Sequence, residues 1–350
     1  MTGLLAAARR MRVNRHIDIC LLVFLAVFPM FASKFRVDVM AGFMAYVIFA
    51  LSLDLLWGYT GLMSFGHAVM FGMGAYVGGL TNAFQKGVPD FMAKYGVTEI
   101  PSFFAPLAAP ALGNALAVLL PGLLALAVGI FIFSSRVSGV FFCLITMALA
   151  SAFATFTNST QQYLGGSNGI NRITRFAFGG APVSVTQNYY IILIALAASY
   201  IFCLWLVNTR FGKALTSIAG NEDRLRFLGY KTRDFKLLVF VLSGMLAGFA
   251  GLLSVRTTGF VSPTSCGLEM STMAVVWVAV GGRGNLTGAV AGTLLINWAE
   301  SILSERIASQ WQLTIGVILL LFVLFMRDGL IGAALGAQDR RRQKKLREAL

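Results

Sequence analysis

Long apolar runs dominate this chain and leave it few folds. About ten stretches approach the ~20 residues that carry a helix across a bilayer. They lie near 18–33, 39–57, 62–82, 111–134, 138–158, 188–208, 236–256, 268–281, 286–303 and 310–326. Backbone amides and carbonyls in hydrocarbon must bond within their own segment, which selects helices for such runs. The expected fold is therefore an all-α polytopic membrane protein, a compact bundle of about ten transmembrane helices. Runs at the start, and the pair flanking Gly281–Asn285, are short enough that eight or nine would also fit.

Composition agrees. Hydrophobic residues make up 57% of the 350 and charged residues 12%, against ~45–50% and ~25% in soluble domains. The 37 glycines suit helices that pack backbone to backbone, and three pairs at the dimer-motif spacing stand out: Gly74/Gly78, Gly244/Gly248 and Gly288/Gly292. These pairs predict close packing and carry no information about a solute.

Charge sets the expected orientation. With ten spans and a cytoplasmic N-terminus, 20 of the 28 basic residues fall in cytoplasmic segments, as the positive-inside rule requires. The chain then divides into a cytoplasmic tail (1–17), a transmembrane permease domain (18–326) with a cytoplasmic segment at 210–236, and a basic cytoplasmic tail (327–350). The formal net charge of +14 is accounted for by anchoring to an anionic leaflet. No soluble basic face with aromatic platforms is present to bind nucleic acid. The first run has the flank and length of a signal peptide, but Met30-Phe31-Ala32 is a poor cleavage site, so it is expected to stay as an anchor.

Several chemistries have nothing to work with. The two histidines and four scattered cysteines form no metal-ligand spacing. There is no GxxxxGK[ST] phosphate loop, no GxSxG and no HExxH. No cofactor is expected on this chain, and energy for any transport is expected from another subunit. Gly281-Gly282-Arg283-Gly284 looks superficially like a nucleotide loop but joins two apolar runs, so it reads as a structural turn.

Polar residues inside apolar runs are costly unless partnered or wetted. Ser64, His67, Thr146, Asn297 and Glu300 are the candidates for a solute pathway; Asn297 and Glu300 lie three apart on one helical face. His67 serves equally well as a helix cap, and single hydroxyls often bond their own helix. Asp54 is expected to brace a neighbouring helix or loop, and Glu269 to open a helix at the outer edge. The remaining conspicuous feature is Gly212–Gly229, GKALTSIAGNEDRLRFLG, a charged, helix-prone segment between two spans. Within it Lys213, Asn221, Glu222, Asp223, Arg224 and Arg226 offer charged or polar contacts, Leu225 and Phe227 apolar anchors, and Gly229 an end. A solvated loop helix would look the same by composition.

Four segments together resemble a known family: DLLWGYTGLMSFGHAVMFGMGAYVGG (54–79), RFGKALTSIAGNEDRLRFLGY (210–230), FKLLVFVLSGMLAGFAGLL (235–253) and VVWVAVGGRGNLTGAVAGTLLINWAES (275–301). They are similar to the LivM-like permease subunits of branched-chain amino acid ABC importers, over residues 40 to 332. RFLGY (226–230), WVAVGGRGNL (277–286) and NWAES (297–301) are closer to the urea-type, UrtC-like subunit. That type tends to carry a GFGGNNG-like loop; here Leu164-Gly165-Gly166-Ser167-Asn168-Gly169 keeps the second amide, Asn168, and has Ser167 for the first.

The resemblance implies a subunit of a bacterial inner-membrane importer with both termini cytoplasmic. Its partners would be a second, homologous permease, two cytoplasmic ATPases using ATP and Mg, and an external substrate-binding protein. Lys213–Gly229 would be the coupling helix, with a bend at Gly220. Urea or a short amide is the expected solute, since spans nearly free of charge suit a neutral molecule. The alternative within the family is a branched-chain amino acid. A passive small-solute channel would leave Lys213–Gly229 without a task, and an embedded enzyme would lack a convergent catalytic set.

Overall fold

The computed structural model describes residues 15–306, apart from 136, 138, 179 and 180, together with position 316. Apart from position 316, the tenth apolar run, 310–326, falls outside the described residues, as do residues 1–14 and the tail 327–350. Each of the other nine runs is a helix. They are α1 (Arg15–Phe31), α2 (Lys34–Thr60), α3 (His67–Phe84), α4 (Pro110–Ser134), α5 (Val140–Ser159), α6 (Val185–Asn208), α9 (Thr232–Thr258), α10 (Leu268–Gly281) and α11 (Leu286–Arg306), with α7 (Arg210–Gly220) and α8 (Glu222–Phe227) between α6 and α9. Among the described residues, six of these helices are long and apolar enough to cross a membrane; α1 and α10 are shorter apolar helices. A two-residue hairpin, Ala177–Phe178 with Ala181–Pro182, is the small β element.

The bundle is built around α2 and α9. Both run 27 residues, about 40 Å of helix at 1.5 Å per residue. Most of α2 is buried, and α6, α9, α10 and α11 pack around it. The expected glycine seam lies on α9. A Cβ on Gly74 would fall on the carbonyl of Gly248, one on Gly251 on the carbonyl of Phe71, and one on Gly248 2.5 Å from Pro121 of α4. Glycine here lets α3, α4 and α9 meet backbone to backbone, where dispersion contacts take over from a hydrophobic drive that lipid does not supply.

Helices α2 and α9 also end alike. Thr60-Gly61-Leu62-Met63-Ser64 and Thr258-Gly259-Phe260-Val261-Ser262 each place a left-handed glycine (φ 82° and 71°) at the C-cap, bonded back to the helix. Each is followed by a connection without α-helix, 61–66 and 259–267, the second holding a 3-10 turn at Pro263–Cys266, that leads into α3 and α10. Asp38 near the start of α2 pairs with Arg175 at 2.8 Å, while Arg256 near the end of α9 lies over Phe176. The two helices are therefore antiparallel, and the two connections dive in from opposite ends. Their helices meet where the Ala68 N–H, in the first turn of α3, donates to Ser271 Oγ in the first turn of α10 at 3.0 Å. Irregular backbone at membrane depth needs protein partners. The Phe65 N–H accordingly donates to Thr146 Oγ1 at 3.1 Å, and Val261 exchanges both backbone bonds with Ile170.

Candidate functional site

The charged segment predicted as one helix is two. Thr209 caps α7, its hydroxyl accepting from the Gly212 N–H. A Cβ on Gly212 would fall on the Val207 carbonyl, so only glycine permits this tight exit from α6. Leu215 and Ile218 of α7 are buried, and α7 packs on α2. The break comes at Asn221, which is extended (φ −163°) and caps α8, its Oδ1 accepting from the Arg224 N–H at 3.0 Å. The expected bend at Gly220 is therefore a cap at Asn221: an Asn side chain satisfies orphan helix donors, which glycine cannot do. Gly220 itself lies inside α7.

Helix α8 is bolted to the start of α9 through one carboxylate oxygen. Glu222 Oε1 accepts from Lys236 Nζ at 2.7 Å, Arg226 Nη2 at 2.8 Å and Thr232 Oγ1 at 2.9 Å. Burial pushes the Glu222 carboxyl up, but Lys236, Thr232 and Arg226 outweigh it and hold the group below its usual range. Lys236 is 4% exposed, with its ammonium 5.6 Å from the Phe133 ring centroid. The predicted coupling residues thus divide. Glu222 and Arg226 form the bolt and Leu225 is half-buried, while Lys213, Asp223, Arg224, Phe227 and Gly229 are exposed. Phe227 is 92% and Leu228 70% exposed. Thr232 and Lys236 escaped the sequence analysis. Their signal was a lysine four residues after a threonine, opening a span that otherwise begins apolar.

The turn after α10 adjoins this surface. Gly282 (φ 110°) and Gly284 (φ 73°) take conformations reserved for glycine. The Gly284 N–H donates to the buried Asp54 Oδ1 at 2.7 Å, and the Arg283 guanidinium lies 5.3 Å from the Trp57 ring centroid. Asp54 therefore braces a loop, as expected, and Gly281–Gly284 is a structural turn. A Cβ on Gly61 would lie 3.6 Å from Arg283 Nη2 and 4.0 Å from Ala219 of α7. The end of α2, the α10–α11 turn and α7 thus share one contact point, so displacement of α7 reaches two core elements.

The candidate pathway residues are scattered. His67 is fully buried, its Nε2 hydrogen-bonded to Ser52 Oγ at 2.9 Å and its ring stacked on Phe49. Thr146 holds the connection before α3, Ser64 is buried, and Asn297 Nδ2 donates to the Thr293 carbonyl. Glu300, on the face of α11 it shares with Asn297, is half-buried within electrostatic reach of Tyr46 and Glu269. Two cavities open at the end of the bundle away from α7 and α8. One, of about 660 Å³, includes Asn168, Lys86, Lys94 and Arg172; the other, of about 460 Å³, includes Ser167, Thr155, Asn158 and Glu269. The loop around Asn168 and Ser167 divides its two polar residues between them. Among the described residues, no group of acids, histidines and cysteines could hold a metal ion.

A helical membrane bundle with discontinuous core elements and a short, firmly anchored helix pair at one end has the architecture of a transport permease. The comparisons give the family. The model described as "Branched-chain amino acid transport system / permease component" matches residues 35–326, and the chain belongs to that family. The high-affinity branched-chain amino acid permease LivM of Escherichia coli is 24% identical over 337 residues, 89% of this chain and 74% of its own. A probable LivM of Methanocaldococcus jannaschii is 25% identical, covering 82% of this chain and 90% of its own. The ribose import permease RbsC of Escherichia coli is 27% identical, covering 70% and 77%. No solved structure matches the chain. The expected closeness to urea-type permeases finds no support in these relatives.

Proposed function

We propose that this chain is the permease subunit of an ATP-driven importer for branched-chain amino acids, forming half of the pathway beside a second, homologous permease. The observation that carries the reading is α8: an exposed apolar tip, Phe227 and Leu228, on a helix fixed to the core by the Glu222–Lys236 bolt. A rigidly mounted apolar knob ringed by Asp223 and Arg224 suits a cleft in a cytoplasmic ATPase, because anchoring lets partner motion be transmitted rather than absorbed. The ATPases would hold the ATP and Mg. Positive charge concentrates on the α7–α8 side of the topology read from the sequence, and the positive-inside rule supports a cytoplasmic position for that end and for both termini.

An external binding protein would deliver solute at the opposite end. Groups of both signs line the cavities there, Lys86, Lys94, Arg172 and Asp90 in one and Glu269 in the other. A zwitterion uses both signs, whereas urea uses neither, and this favours an amino acid over the neutral amide suggested by the spans alone. The names of the LivM relatives point the same way. Uptake of labelled leucine, valine and urea in cells lacking the chain, and in cells given it back, tests the reading. Restored leucine and valine uptake supports it; restoration of urea uptake alone would replace the substrate and keep the permease. Phe227→Asp should abolish uptake and ATPase co-purification while the chain still reaches the membrane. Retained ATPase binding would remove α8 from the coupling role.

A further inference from the structure

One half-buried acid has no part in coupling or in either outer cavity. Asp18 lies in the first turn of α1, and its Oδ1 accepts from Thr287 Oγ1 at 2.5 Å. Tyr200 OH and Thr287 Oγ1 share a further bond at 3.0 Å. Asp18 Oδ2, shielded from solvent, has no hydrogen-bond partner. The carboxylate stands at a narrow furrow of about 80 Å³ between α1 and α6, floored by α11. Its walls are almost wholly apolar: Leu22 and Leu25 from α1, Leu193 and Leu196 from α6, Val290 from α11.

The furrow opens sideways, to the bilayer. Leu22 and Ile201 at its mouth are 50% and 63% exposed, and Val23, Ile194 and Trp205 around it are exposed as well. Thr287 follows directly on the Gly281–Asn285 turn, so Asp18 lies towards the α7–α8 end. Trp205, one turn past Ile201 on α6, suits the interfacial belt where indole rings settle. A carboxylate oxygen shielded from water, as Oδ2 is, is disfavoured without a donor or a counter-charge. Among the described side chains none supplies a cation. A lipid can supply both the cation and the chain that fills the furrow.

We propose that this furrow binds one phospholipid with a primary ammonium headgroup, phosphatidylethanolamine in kind, its ammonium on Asp18 and an acyl chain between α1 and α6. A primary ammonium brings three N–H donors; the quaternary ammonium of a choline lipid brings none. An anionic lipid brings negative charge to a carboxylate. The choice of headgroup is diagnostic, because a chain of net charge +14 otherwise attracts anionic lipids.

The test is native mass spectrometry of the detergent-purified full chain, in whatever assembly it is extracted, with equimolar phosphatidylethanolamine, phosphatidylcholine and phosphatidylglycerol. The expected result is at least fivefold greater retention of the ethanolamine lipid over the choline lipid. Asp18→Asn should lower that retention at least fivefold and leave phosphatidylglycerol retention unchanged. Ala197→Phe, which fills the furrow and keeps the acid, should also lower it, and it decides the matter if Asp18→Asn does not fold. Equal retention of the ethanolamine and choline lipids overturns the proposal. So does undiminished ethanolamine-lipid retention in both variants, or a second protein chain cross-linked into the furrow in place of lipid.

Discussion

Removing the two ends of the α8 bolt should have unequal effects. Lys236 is 4% exposed and Glu222 23%, and Glu222 Oε1 is the anion that Lys236 reaches. Glu222→Ala strands a buried ammonium, for which breaking a buried pair costs about 3–5 kcal/mol. Lys236→Met leaves a carboxylate that keeps Arg226 and Thr232 and stays partly in water, while methionine refills the stem's space. Loss of one charged hydrogen bond there costs about 1–2 kcal/mol. The double variant strands nothing, since replacing a buried pair with apolar groups is often close to neutral. Hydrogen exchange of residues 222–236 in the purified chain reads the local opening. At 1.36 kcal/mol per tenfold, 3 kcal/mol corresponds to a loss of protection of about 150-fold for Glu222→Ala. Lys236→Met should lose about 5- to 30-fold on the same scale. The double variant should be better protected than Glu222→Ala. Equal losses in the two single variants, or a double variant losing the sum of both, would refute the stranded-charge argument.

Two further outcomes follow from the same structure. Glu222 is held below its ordinary value of 4.5, so its contribution is fully present above that value and is lost as pH falls through the lower folded value; protection of residues 222–236, corrected for intrinsic exchange, should stay flat from pH 8 to about 5.5 and fall only below about 4.5. Gly74→Val would drive a side chain into the Gly248 carbonyl and should destabilise by about 1–3 kcal/mol or more, read as a lowered midpoint in detergent thermal unfolding, whereas Gly42→Ala, with nothing within 4 Å of its Cβ, should leave the midpoint unchanged or raised.

Much of this architecture was legible along the chain, and each success has a local cause. Runs 111–134, 138–158 and 268–281 fall within two residues of α4, α5 and α10, because desolvation in a bilayer is decided segment by segment. The 62–82 run begins five residues before α3. Residues 62–66 are as apolar as a helix, yet they form a re-entrant connection whose amide at Phe65 bonds to Thr146, 81 positions away. Composition could not distinguish those two uses of the same residues. Gly74, Gly244 and Gly248 pack helices as their spacing predicted, since a missing Cβ matters wherever two backbones approach.

What the sequence determined by itself is the solvent: a chain this apolar must lie in a membrane as helices, with basic ends and one charged segment outside it. The tertiary structure decided which polar groups meet. Asp54 finds Gly284 across 230 positions, Ala68 finds Ser271 across 203, and Thr287 finds Asp18 across 269. It also made Glu222 a bolt and Phe227 a free tip, although both stand in one short charged run. Periodicity reports how each residue is solvated relative to its neighbours along the helix. Partners hundreds of residues apart are fixed only when the whole bundle closes and every buried donor must find an acceptor.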